Sequence, residues 1–221
     1  MKLFNRYATW LAGLLLIVGP LLLVCAALIA ASGIGTTAGR WYENQLEGIL
    51  MAIGFALQLI GLVEMSRRIG ASRPVLGILA TLTSVIGTIG AIFPAAVRIL
   101  ASVFLNLGFS VEQLDRVYAS SEQGPDPMLV FLPFILVFFL NYLVVLPLGL
   151  WRSKTGPPFA PVLIVVGAIL FIIGQSSDEV GWPAYIAGVT AWFLALASLG
   201  LSMLRETSGV KPVPSEAAAE S

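Results

Sequence analysis

Long apolar runs, separated by short stretches rich in charge, Gly and Pro, take up most of the chain. Six of them, 8–32, 48–65, 75–97, 128–151, 159–175 and 182–204, are apolar without interruption by strong charge clusters. A hydrocarbon core of about 30 Å takes about 20 residues of helix, because the backbone polar groups must be satisfied within the segment. The pattern therefore predicts six transmembrane helices. Barrel strands would be about ten residues long and alternate apolar with polar, which these runs do not do. The expected fold is all-α, a polytopic membrane helix bundle, with one domain over residues 1–205. A tail over 206–221, made largely of Pro, Ala, Glu and Ser, is expected to be disordered.

The connections are short on one side and longer on the other. Ser66 to Pro74 and Arg152 to Pro158 are basic, carry Gly and Pro, and read as tight turns. They pair span two with three and span four with five as antiparallel hairpins. The two turns share a basic-X-Gly then Pro-Val-Leu pattern, which fits either a duplicated hairpin or chance similarity. An inverted three-plus-three repeat is also compatible with six spans, but no broken helices match between the halves. The segment from Arg98 to Pro127 is the one sizeable outer loop. Within it Ile99 to Phe109 is apolar but too short to span. Ser110 and Gln113 fit a capping box, and Val111, Leu114, Val117 and Tyr118 then recur at helical spacing. This predicts a short outer interfacial helix, serving as connector or as a lid.

Charge supplies the orientation. The chain carries 12 Lys and Arg and 12 Asp and Glu, for a net charge of zero, which argues against a nucleic-acid partner. Lys2, Arg6, Arg67, Arg68, Arg73, Arg152, Lys154, Arg205 and Lys211 fall on one side of the six runs. Arg40, Arg98 and Arg116 fall on the other. The positive-inside rule then places both termini in the cytoplasm, as an even number of spans requires. Glu43, Glu47, Glu112, Asp115, Glu122, Asp126, Asp178 and Glu179 all fall on the outer side. Tyr7, Trp10, Trp41, Tyr42, Trp151, Trp182 and Tyr185 stand where interfacial anchors are expected. The first run, Leu11 to Ala31, exceeds the 7 to 15 apolar residues of a signal-peptide core, so it is read as a span.

Polar residues within the runs are costly in lipid and mark the bundle interior. On span three Gly77, Ala80, Thr81, Ser84, Gly87, Thr88, Ala91 and Ala95 share a face, while Leu79, Leu82, Val85, Ile86 and Ile89 cover the other. Gly54, Gln58 and Gly61 align with Met51 and Met65 on span two. Ala184, Ala187, Gly188, Ala191, Ala195 and Ser198 align on span six. Small faces allow close helix approach, so packing is the first expectation for all three. The functional expectation is that Gln58, Thr81, Ser84, Thr88 and Asn141 line a polar path, with Asn141 the foremost candidate. Glu64 is expected to pair with Arg67 and Arg68, and Arg98 to reach lipid headgroups from the outer end of span three.

Catalytic chemistry finds few residues to work with. The chain has no His, which removes bis-histidine haem, His-ligated zinc and nucleophile–His pairs. Its lone Cys25 reads as a packing residue. No carboxylate falls at mid-run, and neither a phosphate-binding loop nor a dinucleotide fingerprint is present. No cofactor or metal is expected. The expectation is a non-enzymatic accessory, sensor or scaffold protein whose partners are the lipid bilayer and a protein partner or second copy at a small-residue face. The alternative is a facilitator or transporter of an uncharged or lipid-like small molecule.

The six spans without an attached soluble domain, and the basic Gly-Pro turns such as Gly149-Leu-Trp-Arg152 through Pro158, resemble small uncharacterised bacterial six-span membrane proteins. The resemblance implies a bacterial inner membrane and transfers no activity or functional residue.

Overall fold

A computed structural model describes residues 2–34, 44–120, 128–176 and 181–208, and among these every regular element is a helix. In chain order they are α1 (Lys2–Ser32), α2 (Gln45–Ser72), α3 (Pro74–Asn106), α4 (Val111–Ser120), α5 (Met128–Leu140), a π-helical turn (Asn141–Val145), α6 (Leu146–Ser153), α7 (Ala160–Ser176) and α8 (Gly181–Ser208). Five helices, counting Phe131–Ser153 as one rod, are long and apolar enough to cross a membrane; the apolar helix Ala160–Gln175 is shorter. The residues Arg40, Trp41, Tyr42, Glu43, Glu122, Asp126, Asp178 and Glu179, and the tail from 209 onward, lie outside the described residues.

The helix ends follow local chemistry more than the edges of the apolar runs. α2 begins at the Asn44 N-cap, whose side chain accepts from the Glu47 amide at 3.0 Å. Asn44 Nδ2 also donates to the Ile34 carbonyl at 2.8 Å, tying the end of α1 to the start of α2. The turn expected over Ser66 to Pro74 is instead helical to Ser72. Only Arg73 breaks it, since the residue before Pro is excluded from the helical region, and Pro74 opens α3. The second basic turn is built differently, with Lys154 and Gly156 both at positive φ. The sequence likeness of the two turns has no counterpart in shape.

α3 runs past the expected limit of residue 97 to Asn106, absorbing much of the apolar segment read as loop. It stops at Gly108, whose φ of 91° reverses the chain. The Phe109 amide returns to the Phe104 carbonyl at 3.1 Å and Gly108 to Leu105 at 3.0 Å. Phe104 and Phe109 then meet edge to face at 5.4 Å, completing a Schellman cap with its apolar contact. Immediately afterwards Ser110 Oγ accepts from the Gln113 amide, and Gln113 Oε1 accepts from the Ser110 amide, which is the expected capping box at the start of α4. α8 likewise continues through Glu206 to Ser208, so the first residues assigned to the tail are helical.

Packing joins the helices in chain order around a ring: α1 on α2, α2 on α3, α3 on α5, α6 and the π turn on α7, α7 on α8, and α8 back on α1. The buried stripe of α3 holds Gly77, Ala80, Ser84, Gly87, Thr88, Ala91 and Ala95, as expected, while Leu79, Leu82, Val85, Ile86 and Ile89 are exposed. Large residues outward and small ones inward reverse the arrangement of a helix folded in water. On α8 the interior stripe is heavier than expected. Ala187 faces out, and Tyr185, Val189, Trp192, Leu196, Leu199 and Met203 fill the core. There Trp192 contacts Phe138 at 5.8 Å, Tyr142 at 4.8 Å and Phe171 at 4.9 Å, and its indole donates to the Ile164 carbonyl at 3.0 Å.

Close backbone approach sets these contacts. A Cβ on Gly19 would lie 2.7 Å from the Gly54 carbonyl, and one on Gly54 would lie 2.8 Å from that of Gly19. Gly13 and Gly200 meet in the same way between α1 and α8. Replacing Gly54 with Leu is expected to lower stability by about 2 kcal/mol or more, since the obstruction is backbone and not a movable side chain. A fall in the Tm of detergent-purified protein checks this, with Gly70→Ala, whose added Cβ would make only an ordinary 3.6 Å contact, as the mild comparison.

Candidate functional site

The sequence-predicted polar residues separate into two groups joined by helix contacts. Asn141 opens the π turn and is fully buried. Its Nδ2 donates to Ser84 Oγ at 3.1 Å, and its Oδ1 accepts from Thr83 Oγ1 at 2.8 Å. Thr88 Oγ1 donates to the Ser84 carbonyl at 2.7 Å, so its hydroxyl is spent within its own helix. Thr81 is only half-buried and bonds back to Gly77 at 2.9 Å. Thr83, two residues on and about 200° round the helix, takes the place in the network that Thr81 was expected to hold. Pro147 has no N–H to give to the Leu143 carbonyl, and in the turn before it Leu146 N–H bonds to Asn141 O. Asn141 and Tyr142 both lie in that turn and both are buried.

Tyr142 forms the second group with Gln58. Gln58 Nε2 lies 2.7 Å from the Tyr142 hydroxyl, linking α2 to the π turn across the centre of the bundle. Both side chains are buried, as are Met51, Gly54, Gly61 and Met65 along the same stripe of α2. These residues form helix-to-helix bridges within a packed aromatic interior.

A buried charge cluster lies at the end of the bundle where α2 begins, and it overturns the expected role of Arg98. Its side chain is only 2% exposed and reaches inward, not to the surface. Arg98 Nε stands 3.2 Å from Glu47 Oε2, and Arg98 Nη1 donates to the Pro94 carbonyl at 3.2 Å. Tyr185, expected as an interfacial anchor, is buried, and its hydroxyl lies 3.3 Å from Glu47 Oε1 and 3.6 Å from Met51 Sδ. Glu47 occupies the first turn of α2, where the helix dipole favours a carboxylate. Glu47 and Arg98, which the sequence places on the outer side of the runs, are thus withdrawn into that end of the bundle. The sequence did carry a signal. Glu47 is four residues before Met51 on the buried stripe of α2, and Arg98 follows Ala91 and Ala95 at helical spacing on that of α3.

Beside this cluster a cavity of about 60 Å³ is walled by Met51, Phe55, Phe138 and Phe171, with Arg98 and Gln175 adding polar groups. Its chemistry is that of an apolar slot with one guanidinium edge and one amide. Among the described residues, no group of three or more His, Cys, Asp and Glu comes together as a metal site.

The opposite end carries the expected ion pairs. Glu64 accepts two bonds from Arg67, both at 2.7 Å, and lies 3.4 Å from Arg68. Arg68 in turn pairs with Glu206 of α8 at 2.8 Å, and Thr9 of α1 donates to Glu64 at 3.2 Å.

Breaking the buried pair with Arg98→Gln or Glu47→Gln is expected to cost about 3 kcal/mol, because either change strands a charge away from water. The double variant should cost less than the sum of the two, which a double-mutant cycle on thermal melts measures. Asn141→Leu removes two interhelical bonds and is expected to cost roughly 1 kcal/mol by the same measurement.

No family model matches the chain, and no curated protein or solved structure matches it either, so the likeness to small bacterial six-span proteins stands on the sequence features alone.

Proposed function

We propose that this chain is a multi-pass protein of the cell membrane, with six spans and both termini in the cytoplasm, that works without catalysis as an accessory, sensor or scaffold protein. Five long apolar helices with large apolar residues facing outward support a bilayer environment. In this reading α7 is the sixth span. Its 17 residues rise only about 25 Å, which the bilayer accommodates by local thinning. The Glu47–Arg98 pair then stands about 37 Å along α2 and α3 from the turn at Arg73, at the outer boundary of a hydrocarbon layer about 30 Å thick. α4 buries Leu114 and exposes Glu112, Gln113 and Arg116, which suits an outer interfacial helix.

One observation carries the choice of a packing protein over a conduit. Gln58, Ser84, Thr88 and Asn141 are buried in bonds to neighbouring helices or to their own, and aromatic rings fill the space between. A second reading, a facilitator or transporter of an uncharged or lipid-like small molecule, draws on the cavity beside Arg98. Phe55, Phe138 and Phe171 are among the residues that line it.

Thiol labelling in intact cells tests both topology and role. In a Cys25→Ser background, Cys placed at Ser110 should react with a membrane-impermeant reagent, and Cys placed at Ser72 or Thr155 should react only after lysis. Cys placed at Gln58 or Asn141 should stay silent in both conditions. Labelling at those two depths, blocked by an added solute, would favour transport; labelling of Ser72 from outside would overturn the orientation.

A further inference from the structure

At the end of the bundle away from Glu47, the start of α1 and the finish of α8 flank a half-open cavity of about 440 Å³ lined by Arg6, Tyr7, Trp10, Thr207 and Ser208. We propose that this cavity holds the headgroup of an anionic phospholipid, with its phosphate on Arg6 and its acyl chains along the outer face of α1. The proposal rests on the membrane topology above, which has its own test.

Arg6 is the anchor. Its Nε donates to the Thr207 carbonyl at 2.7 Å, which fixes the guanidinium and leaves the four N–H groups of its terminal nitrogens for a ligand. A carbonyl does not neutralise the charge. The carboxylates that could do so among the described residues at this end are already engaged: Glu64 with Arg67 and Arg68, and Glu206 with Arg68. A fixed guanidinium presents a planar fork that matches two phosphate oxygens. The helix dipoles do not decide the sign of the site. The positive start of α1 and the negative finish of α8 oppose each other, so the field is that of the side chains, with Arg205 adding to Arg6 while Arg67 and Arg68 are offset by Glu64 and Glu206.

The aromatic wall identifies the source of the phosphate. Tyr7 and Trp10 are 69% and 46% exposed, and they are the residue types that settle at headgroup level. Leu11, Leu21 and Leu28 are exposed further along α1, giving acyl chains a continuous apolar track. A dissolved phosphate would gain nothing from these rings or from that track. Basic pockets between helices on the cytoplasmic side are also where anionic headgroups concentrate.

The test reconstitutes the full chain in nanodiscs of phosphatidylcholine containing phosphatidylglycerol as a minor component, then reads retained lipid by native mass spectrometry. Phosphatidylglycerol should be enriched over its share of the bilayer. Arg6→Gln should weaken its retention about fivefold, and Arg205→Gln, which leaves the cavity lining intact, should weaken it by clearly less. Equal losses in the two variants would reduce the effect to diffuse surface charge and overturn the site. Displacement of the lipid by inorganic phosphate at matched concentration would overturn the lipid as occupant. If Arg6→Gln fails to fold because the Thr207 carbonyl loses its donor, Trp10→Leu keeps that bond and decides alone. Weaker retention supports the site and unchanged retention overturns it. A chain that labels with the expected topology yet shows no lipid preference overturns this proposal and leaves the topology standing.

Discussion

Where Gly19 of α1 meets Gly54 of α2, and Gly13 meets Gly200 of α8, helix backbones touch with no side chain between them, and the interior geometry follows from those contacts. Among apolar helices in an apolar solvent there is no hydrophobic gain from association, so packing and interhelical bonds must supply it. Close approach maximises both. The largest aromatic side chains of the interior come from α2, α5, the π turn, α7 and α8. Phe138, Tyr142, Phe171 and Trp192 then interlock at one level of the bundle.

Polar groups are handled in opposite ways at the two ends. Glu64, Arg67, Arg68 and Glu206 form an ion-pair chain in which Arg67 and Glu206 are largely exposed, so water screens it and each pair contributes at most about 1 kcal/mol. Glu47 and Arg98 are withdrawn from water altogether. Their separation across α2 and α3, with Tyr185 brought in from α8, makes three helices answer to one carboxylate. Such a cluster does little for net stability relative to a well-packed apolar substitute, but it penalises any packing in which the partners fail to meet. It also gives the small apolar cavity beside it a polar edge, which distinguishes that cavity from an ordinary packing defect.

The π turn at Asn141–Val145 ties these themes together. Asn141 and Tyr142 are successive residues of this turn and both are buried, giving α3 one partner in Asn141 and α2 another in Tyr142. Two polar bridges of the interior thus leave from one short stretch of backbone, just ahead of Pro147.

The sequence alone determined that the chain is helical and builds long apolar helices, because continuous apolar runs of this length fit helix and not alternating strand. It also determined the inward stripes of α2 and α3, since a period of 3.6 residues fixes which residues share a face, and the capping box at Ser110, which is purely local. The exact helix ends were less legible: α3 outlasts its apolar run because the first true stop is Gly108, and α2 continues to the residue before Pro74. Only the tertiary structure decided the pairing of Glu47 with Arg98, the burial of Tyr185, and the exchange of Thr81 for Thr83. Those outcomes depend on the rotation and depth of one helix against another, set by contacts between residues far apart in the chain. Periodicity places a residue on a face, but it cannot say which neighbour that face will meet.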